Sequence, residues 1–224
     1  NSPFDTFFSP PWDFLTEVLN FFVRQLGFKI DFNLEKRGYY PKGGVRAQVV
    51  VYPCKEVKPL KLLERGDFKE IKILSRAGKP LDKRQVAERQ VEVVKKALEN
   101  KFNVPIKEEI EYFETLGAGS SLVILGNFEN TVLSSNALGK IKRTAEEVGQ
   151  LAVKDFIEEI GGKSCLDRYM KDQILTFIAL AKEKSEILVG DLTEHAKTNI
   201  KIIELFLDGK FKIEKGILSW NENL

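Results

Sequence analysis

The feature that most constrains this chain is a strict alternation of apolar and polar side chains that follows immediately after a helical pattern. Over residues 28–35 each apolar residue is followed by a charged or amide residue, which is typical of a strand with one buried face. Residues 10–27 carry apolar side chains at helical spacing and end in a glycine suited to stop a helix. A turn and a second strand pattern follow, so residues 28–52 are predicted to form a hairpin next to a buried helix.

The remaining chain divides into a middle block and a tail. The middle block, residues 66–163, has the order strand, helix, strand, strand, helix, and is predicted to be a small inserted domain. Its predicted elements are strand 68–74, helix 81–102, strands 106–115 and 121–128, and helix 137–160. The tail, residues 164–224, again places a helix before a hairpin. Residues 1–65 and 164–224 are therefore expected to form one larger domain from two copies of a similar unit.

Composition excludes several classes of protein. Lysine and arginine total 35 against 33 acidic residues, so bulk charge gives no sign of nucleic-acid binding, and an anion site would need local clustering. No apolar run is long enough for a membrane helix. The two cysteines, Cys54 and Cys165, suit a reducing compartment and predict a cytoplasmic protein. A single histidine excludes histidine-rich metal sites.

That histidine, His195, lies where a short strand gives way to a predicted helix. A helix start presents free N–H groups and the positive end of the dipole, which suits a phosphate. Neutral imidazole is also a competent nucleophile toward phosphorus. The alternative is an ordinary helix-start residue with Thr193 as the N-cap, and position alone favours that alternative.

A second candidate is the segment from Arg168 to Gln173. Tyr169 and Gln173 are four residues apart and share a helix face. With Asp172 they could stack a base and bind a ribose or base edge. They could equally be surface residues of a helix.

The third candidate is the predicted hairpin turn, residues 36–44. It contains three cations, two tyrosines and three glycines, and glycine allows the backbone to approach an anion closely. A long turn with solvated lysines is an equally good interpretation. Residues 117–121 are predicted to form a bend rather than a phosphate cradle, and residues 107–111 the wet face of a strand.

Taken together, these motifs closely resemble the RNA 3′-terminal phosphate cyclase family. The resemblance lies in Arg-Gly-Tyr-Tyr-Pro-Lys-Gly-Gly at 37–44, Pro-Pro-x-Asp-aromatic at 10–14, Asp-Gln at 172–173 and Glu-His-Ala-Lys-Thr-Asn at 194–199. It extends essentially from end to end of the chain. It implies an α+β fold, an α/β sandwich of repeated βαβαββ units with a smaller inserted βα domain.

The resemblance implies a ligase that uses ATP with Mg²⁺ or another divalent cation. In that family a histidine becomes covalently adenylated, AMP passes to an RNA 3′-terminal phosphate, and the 2′-hydroxyl then closes a 2′,3′-cyclic phosphate. It implies His195 as the nucleophile. Arg37 and Lys42 are assigned to RNA or phosphate from their charge alone. The nucleotide-binding residues that it implies are Pro11, Asp13, Tyr169, Met170, Lys171, Asp172 and Gln173.

Two departures from the family bear on these expectations. The family's glycine motif runs to a third glycine, where this chain has Val45. The family also has an upstream repeat with metal- and RNA-binding residues, so no metal ligand is expected here. We expect that repeat to be a partner of the chain, along with ATP and RNA, and no membrane.

Two other functions stay open at this point. A non-catalytic cyclase-like factor in ribosome assembly or rRNA processing shares the fold but lacks the nucleophilic histidine. A protein-binding domain that keeps these motifs as relics is the third possibility.

Overall fold

The first part of the fold is the predicted helix and hairpin. A computed structural model describes residues 4–7 and 9–221. The elements here are α1, formed by Trp12–Phe14, a π-type segment Leu15–Leu19 and Asn20–Gln25, then β1 (Ile30–Lys36), β2 (Arg46–Val51) and β3 (Lys61–Leu62). β1 and β2 pair antiparallel as a two-stranded sheet. The short strand β3 lies in residues for which no element was predicted.

The middle block is built on one four-stranded sheet. Its elements are β4 (Phe68–Gly78), a 3₁₀ turn (Lys79–Arg84), α2 (Val86–Leu98), β5 (Ile106–Phe113), β6 (Ser120–Phe128), β7 (Val132–Leu138) and α3 (Ala145–Gly161). The strand order is β5-β4-β6-β7, with β4 and β5 parallel and the other pairs antiparallel. The parallel pair is joined through α2, as a crossover connection requires.

The prediction of a helix over 137–160 was wrong at its N-terminal end. Residues Val132–Leu138 form the additional strand β7, which pairs with β6. The helix α3 begins only at Ala145. The start is fixed by a capping box, in which Thr144 and Glu147 bind each other's backbone N–H groups. Ile141, which lies within the predicted helix range, is in the turn between β7 and α3 and is 88% exposed.

The tail completes a second four-stranded sheet. Its elements are α4 (Met170–Gln173), α5 (Leu175–Ile178), β8 (Ser185–Leu188), α6 (Glu194–Phe206), β9 (Lys210–Glu214) and β10 (Ile217–Asn221). The sheet order is β3-β8-β10-β9, with β3 and β8 parallel. Residues 166–182 thus contain two short helices. The helix-then-hairpin order of the tail is present as predicted.

The middle sheet is buried on both faces. One face packs against α2 and α3 in a smaller core that includes Ile73, Ile124 and Phe156. The opposite face contributes Leu74 and Val123 to a larger core shared with α1 and the tail. The α+β class is confirmed by these mixed helices and sheets. The division at residues 66 and 163, and the kinship of the two units, remain interpretations.

Candidate functional site

His195 occupies the first turn of α6 and is exposed to solvent. Thr193 caps the helix, because its Oγ1 accepts a hydrogen bond from the Ala196 N–H at 3.1 Å, as the sequence predicts. Ala196 is fully buried and anchors this turn in the larger core. The imidazole is therefore presented outward at the positive end of a helix of 13 residues.

The Tyr169–Gln173 segment lies beside α6. Asp172 is partly buried. Burial raises the pKa of its carboxyl group, and the nearby His195 acts in the opposite direction. Gln173 is exposed. The structure therefore places Asp172 close to the predicted nucleophile, and Gln173 follows Asp172 as an exposed residue of α4.

Other residues of this segment hold it in place. Lys171 Nζ donates to the backbone carbonyl of Asp191 at 2.8 Å, just before α6, and burial lowers the pKa of this lysine. The Tyr169 ring packs edge-on against Phe14, with 6.0 Å between ring centroids. Met170 is fully buried in the larger core, so its side chain has no surface to offer a nucleotide.

Asp167, which sequence reasoning missed, fixes this segment to the middle sheet. Its Oδ1 accepts the N–H groups of Tyr169 and Met170 at 3.0 and 2.8 Å. Its Oδ2 accepts the N–H and hydroxyl of Ser134 in β7 at 3.0 and 2.6 Å. Burial raises the pKa of Asp167 to about 6, and the bonds from Ser134 and Met170 oppose the rise. Its position three residues before Met170 was the available signal.

Asp13 does not join the open surface. It lies buried at the start of α1, after the buried Pro11. Its Oδ2 accepts from Arg37 at 2.7 Å and its Oδ1 from Arg76 at 3.2 Å. Both carboxylate oxygens are thus used by buried guanidinium groups.

Arg37 is equally enclosed, at 2% exposure. Besides Asp13 it binds Asp5 at 2.6 Å and the Ser121 hydroxyl at 3.2 Å. Burial would lower the pKa of Arg37, but the two carboxylates outweigh it and raise that pKa. Arg37 as an RNA contact stays a prediction that this geometry does not favour. We call Asp5, Asp13, Arg37 and Arg76 the buried ion cluster.

The wet-face interpretation of residues 107–111 was incomplete. Glu109 and Glu111 reach Arg76 at 2.8 and 3.1 Å, so they close the buried ion cluster on its outer side. The signal was an arginine in a strand adjacent to glutamates. It was missed because the predicted strand 68–74 stopped two residues short of Arg76.

Lys42, in the same hairpin motif as Arg37, is exposed. Its side chain runs along Gly117, where an added Cβ would lie 3.1 Å from Lys42 Cδ. Tyr39 of the motif is buried against Gly119. Gly43 and Gly44 have φ values of 63° and 84°, a region that favours glycine. The glycines of this loop thus serve packing and turning, and only Lys42 of the two predicted phosphate contacts faces solvent.

Two classes of site are not found in the part of the chain that the structure describes. No three histidine, cysteine, aspartate or glutamate side chains are grouped so that they could hold a metal ion. Nor does any helix over residues 4–7 and 9–221 have the length and apolar character needed to cross a bilayer.

Comparison with known proteins shows the family of this chain. The model of the family described as RNA 3′-terminal phosphate cyclase matches residues 5–213. Curated proteins named RNA 3′-terminal phosphate cyclase from Thermococcus gammatolerans and Pyrococcus furiosus are 35% and 34% identical, covering 94% and 95% of this chain. One of the same name from Hyperthermus butylicus is 35% identical over 92% of the chain. The chain spans about 60% of the length of these relatives. It belongs to the RNA 3′-terminal phosphate cyclase family.

Proposed function

We propose that this chain carries the adenylate-forming part of an enzyme that cyclises RNA 3′-terminal phosphates with ATP. The observation that carries the proposal is the placement of the chain's only histidine, exposed at the start of α6 and close to Asp172. A non-catalytic factor of this fold has no use for such a nucleophile. The three relatives compared above carry the name of a cyclase.

In the first step the imidazole of His195 attacks the α-phosphorus of ATP. An N–P bond forms, the bond to the bridging oxygen breaks, and diphosphate leaves. The free N–H groups and dipole at the start of α6 stabilise the negative charge on the phosphate. Asp172 and Gln173 are the groups on the same surface able to bind the nucleoside.

In the later steps AMP leaves the histidine. An oxygen of the RNA 3′-phosphate attacks the adenylate phosphorus and breaks the N–P bond, so that imidazole is regenerated. The 2′-hydroxyl then attacks the activated 3′-phosphate, and the cyclic phosphate forms as AMP departs. Lys42 is the exposed cation of the hairpin loop that could meet RNA phosphate. Divalent-cation dependence stays an expectation through which we route no step.

The experiment is incubation with ATP labelled on the α-phosphate. We expect label that survives denaturation, is released by acid and resists alkali, as a phosphoramidate does. The label should move to AMP when RNA with a 3′-phosphate is added, with a cyclic end appearing on the RNA. Absence of covalent label under conditions where ATP binds would contradict the proposal.

The expected contribution of an upstream repeat stays a prediction. Exposure of β2 along its whole length supports it, because an open strand invites pairing. Adding the upstream part of the polypeptide should raise the melting temperature and the rate of RNA cyclisation. Equal melting and equal rates would contradict it. A cytoplasmic location, supported by the unpaired Cys54 and Cys165, likewise stays a prediction.

A further inference from the structure

A basic hollow lies beside the N-terminal half of α3, and none of its lining residues belongs to the site already described. The turn after β7 supplies Lys140, Lys142 and Arg143, and α3 supplies Glu147, Leu151 and Lys154. The cavity measures about 490 Å³. We call it the α3 hollow.

The charge of the α3 hollow is strongly positive. Four of its lining side chains are cationic and one is acidic, in a chain whose net charge is only +2. That acidic side chain, Glu147, is bound by the Thr144 backbone N–H at 2.6 Å. Two other acidic residues of α3 are paired with arginines outside the hollow, since Glu146 binds Arg89 and Glu159 binds Arg168. Over residues 4–7 and 9–221, no ion pair is described for the four cations of the hollow.

The hollow lies at the same end of the middle sheet as the hairpin loop. β6 begins at Ser120, and the Gly139 N–H beyond the end of β7 donates to the Ser120 carbonyl at 2.8 Å. The residue before Ser120, Gly119, packs against Tyr39 of the loop, and Gly117 packs against Lys42. A continuous path of contacts therefore joins Lys42 to the turn that carries Lys140.

We propose that the α3 hollow binds backbone phosphates of the RNA strand, several nucleotides away from its reacting 3′ end. This inference rests on the proposed function, which supplies RNA as the substrate. An apolar side chain, Ile141, stands 88% exposed between Lys140 and Lys142. Single-stranded RNA alternates charged phosphates with apolar base faces, and this alternation of lysine, isoleucine and lysine is suited to it.

The test compares two triple variants of the full polypeptide. K140Q, K142Q and K154Q together remove three cations from the hollow, and K55Q, K101Q and K212Q remove three exposed lysines elsewhere. Binding of a long single-stranded RNA ending in a 3′-phosphate is measured against salt concentration. Loss of three phosphate contacts should lower the log–log salt slope by about 2 and the affinity about 100-fold near 0.1 M salt.

A second RNA, a dinucleotide with a 3′-phosphate, tests the position of the contact. Because the proposed contact is several nucleotides from the 3′ end, the hollow variant should bind the dinucleotide like the unchanged protein. Histidine labelling by ATP should also be unchanged in both variants, so a failure of the proposed function would appear separately, as absence of label in every protein. Equal binding of long RNA by the two triple variants would overturn the inference. So would an equal loss for the long RNA and the dinucleotide, or a loss seen with heparin but not with RNA.

Discussion

The buried ion cluster and the open surface around His195 show that residues of one family's sequence motifs can have opposite environments in the structure. Both contain residues that match motifs of one family. In the cluster every carboxylate oxygen of Asp13 is used by a guanidinium, and Arg37 is 2% exposed. At the open surface, His195 and Gln173 face solvent. A motif residue can therefore be buried in the fold or exposed on the surface, and the residues that contact it decide which.

The largest effect that separates the two regions is expected from His195→Ala. Covalent labelling by ATP should fall to background, because no other imidazole exists in the chain. The melting temperature should stay within a few degrees, since an exposed residue in a first turn contributes little packing. Lys201→Ala, on the same helix, is the control and should label normally. Persistent labelling of the histidine variant would remove His195 from its proposed role.

Arg37→Leu should have its main effect on stability, whereas His195→Ala should have its main effect on labelling. Arg37→Leu leaves Asp5 and Asp13 buried without their main cation, which costs about 3–5 kcal/mol of unfolding free energy. Denaturant unfolding measures the loss. Arg46→Leu is a matched control, because Arg46 is exposed and 3.7 Å from its acidic partner, and it should change stability by less than about 0.5 kcal/mol. If both arginine variants unfold alike, the cluster does not stabilise the fold.

Asp167→Asn should change how stability depends on pH. The pKa of Asp167 is raised to about 6 in the folded protein from an ordinary 3.8, so the folded state binds the proton more tightly. The contribution to stability is present at low pH and is lost as pH rises through about 6, by up to about 3 kcal/mol. The difference in unfolding free energy between wild type and variant should therefore shrink from pH 4.5 to pH 7. A difference that is constant with pH would contradict the shifted pKa.

Smaller effects are expected from Asp172→Asn and Gln173→Ala. Each should weaken ATP binding by about 1–3 kcal/mol, if each removes one hydrogen bond and leaves a partner unsatisfied. Calorimetry of ATP binding, with Thr176→Ala as the control, measures the change. Unchanged affinity in both variants would return residues 172–173 to the interpretation as an ordinary helix surface.

The smallest effect concerns the other cation of the hairpin motif. Lys42→Ala should lower RNA affinity about fivefold near 0.1 M salt, as the loss of one phosphate contact does. Its stability should change by less than about 0.5 kcal/mol, because the side chain is exposed. The contrast with Arg37→Leu is therefore a contrast within one motif. If the Lys42 variant loses stability but keeps its RNA affinity, Lys42 has a structural role like that of the buried ion cluster, and the prediction is wrong.

The sequence was sufficient where local pattern decides the structure. The alternation over 28–35 and the Thr193 cap both predicted what is observed, because each depends on neighbours along the chain. β7 was missed because its Ser-Ser-Asn stretch carries weak strand preference and is stabilised by pairing with β6. The helix start at Thr144 could have been read from its capping box.

The sequence could indicate which residues are candidates for the site, but not which residues surround them in the fold. The proximity of His195 to Asp172 required the tail to fold, and no spacing in the sequence gives that distance. The burial of Arg37 depends on Asp5, Asp13 and Ser121, which are far apart along the chain. Asp167 could have been noted as a helix cap, but its bonds to Ser134 are long-range.

The bonds between Asp167 and Ser134 have a consequence for how copies of this chain meet each other. β7 is the last strand of its sheet, and the backbone N–H of Ser134 would otherwise be open to a strand from another molecule. Asp167 occupies that N–H with a buried carboxylate, so a strand from another molecule cannot hydrogen-bond to the edge at this residue. The residue that positions the Tyr169 segment thus also blocks strand pairing at this position of the sheet edge.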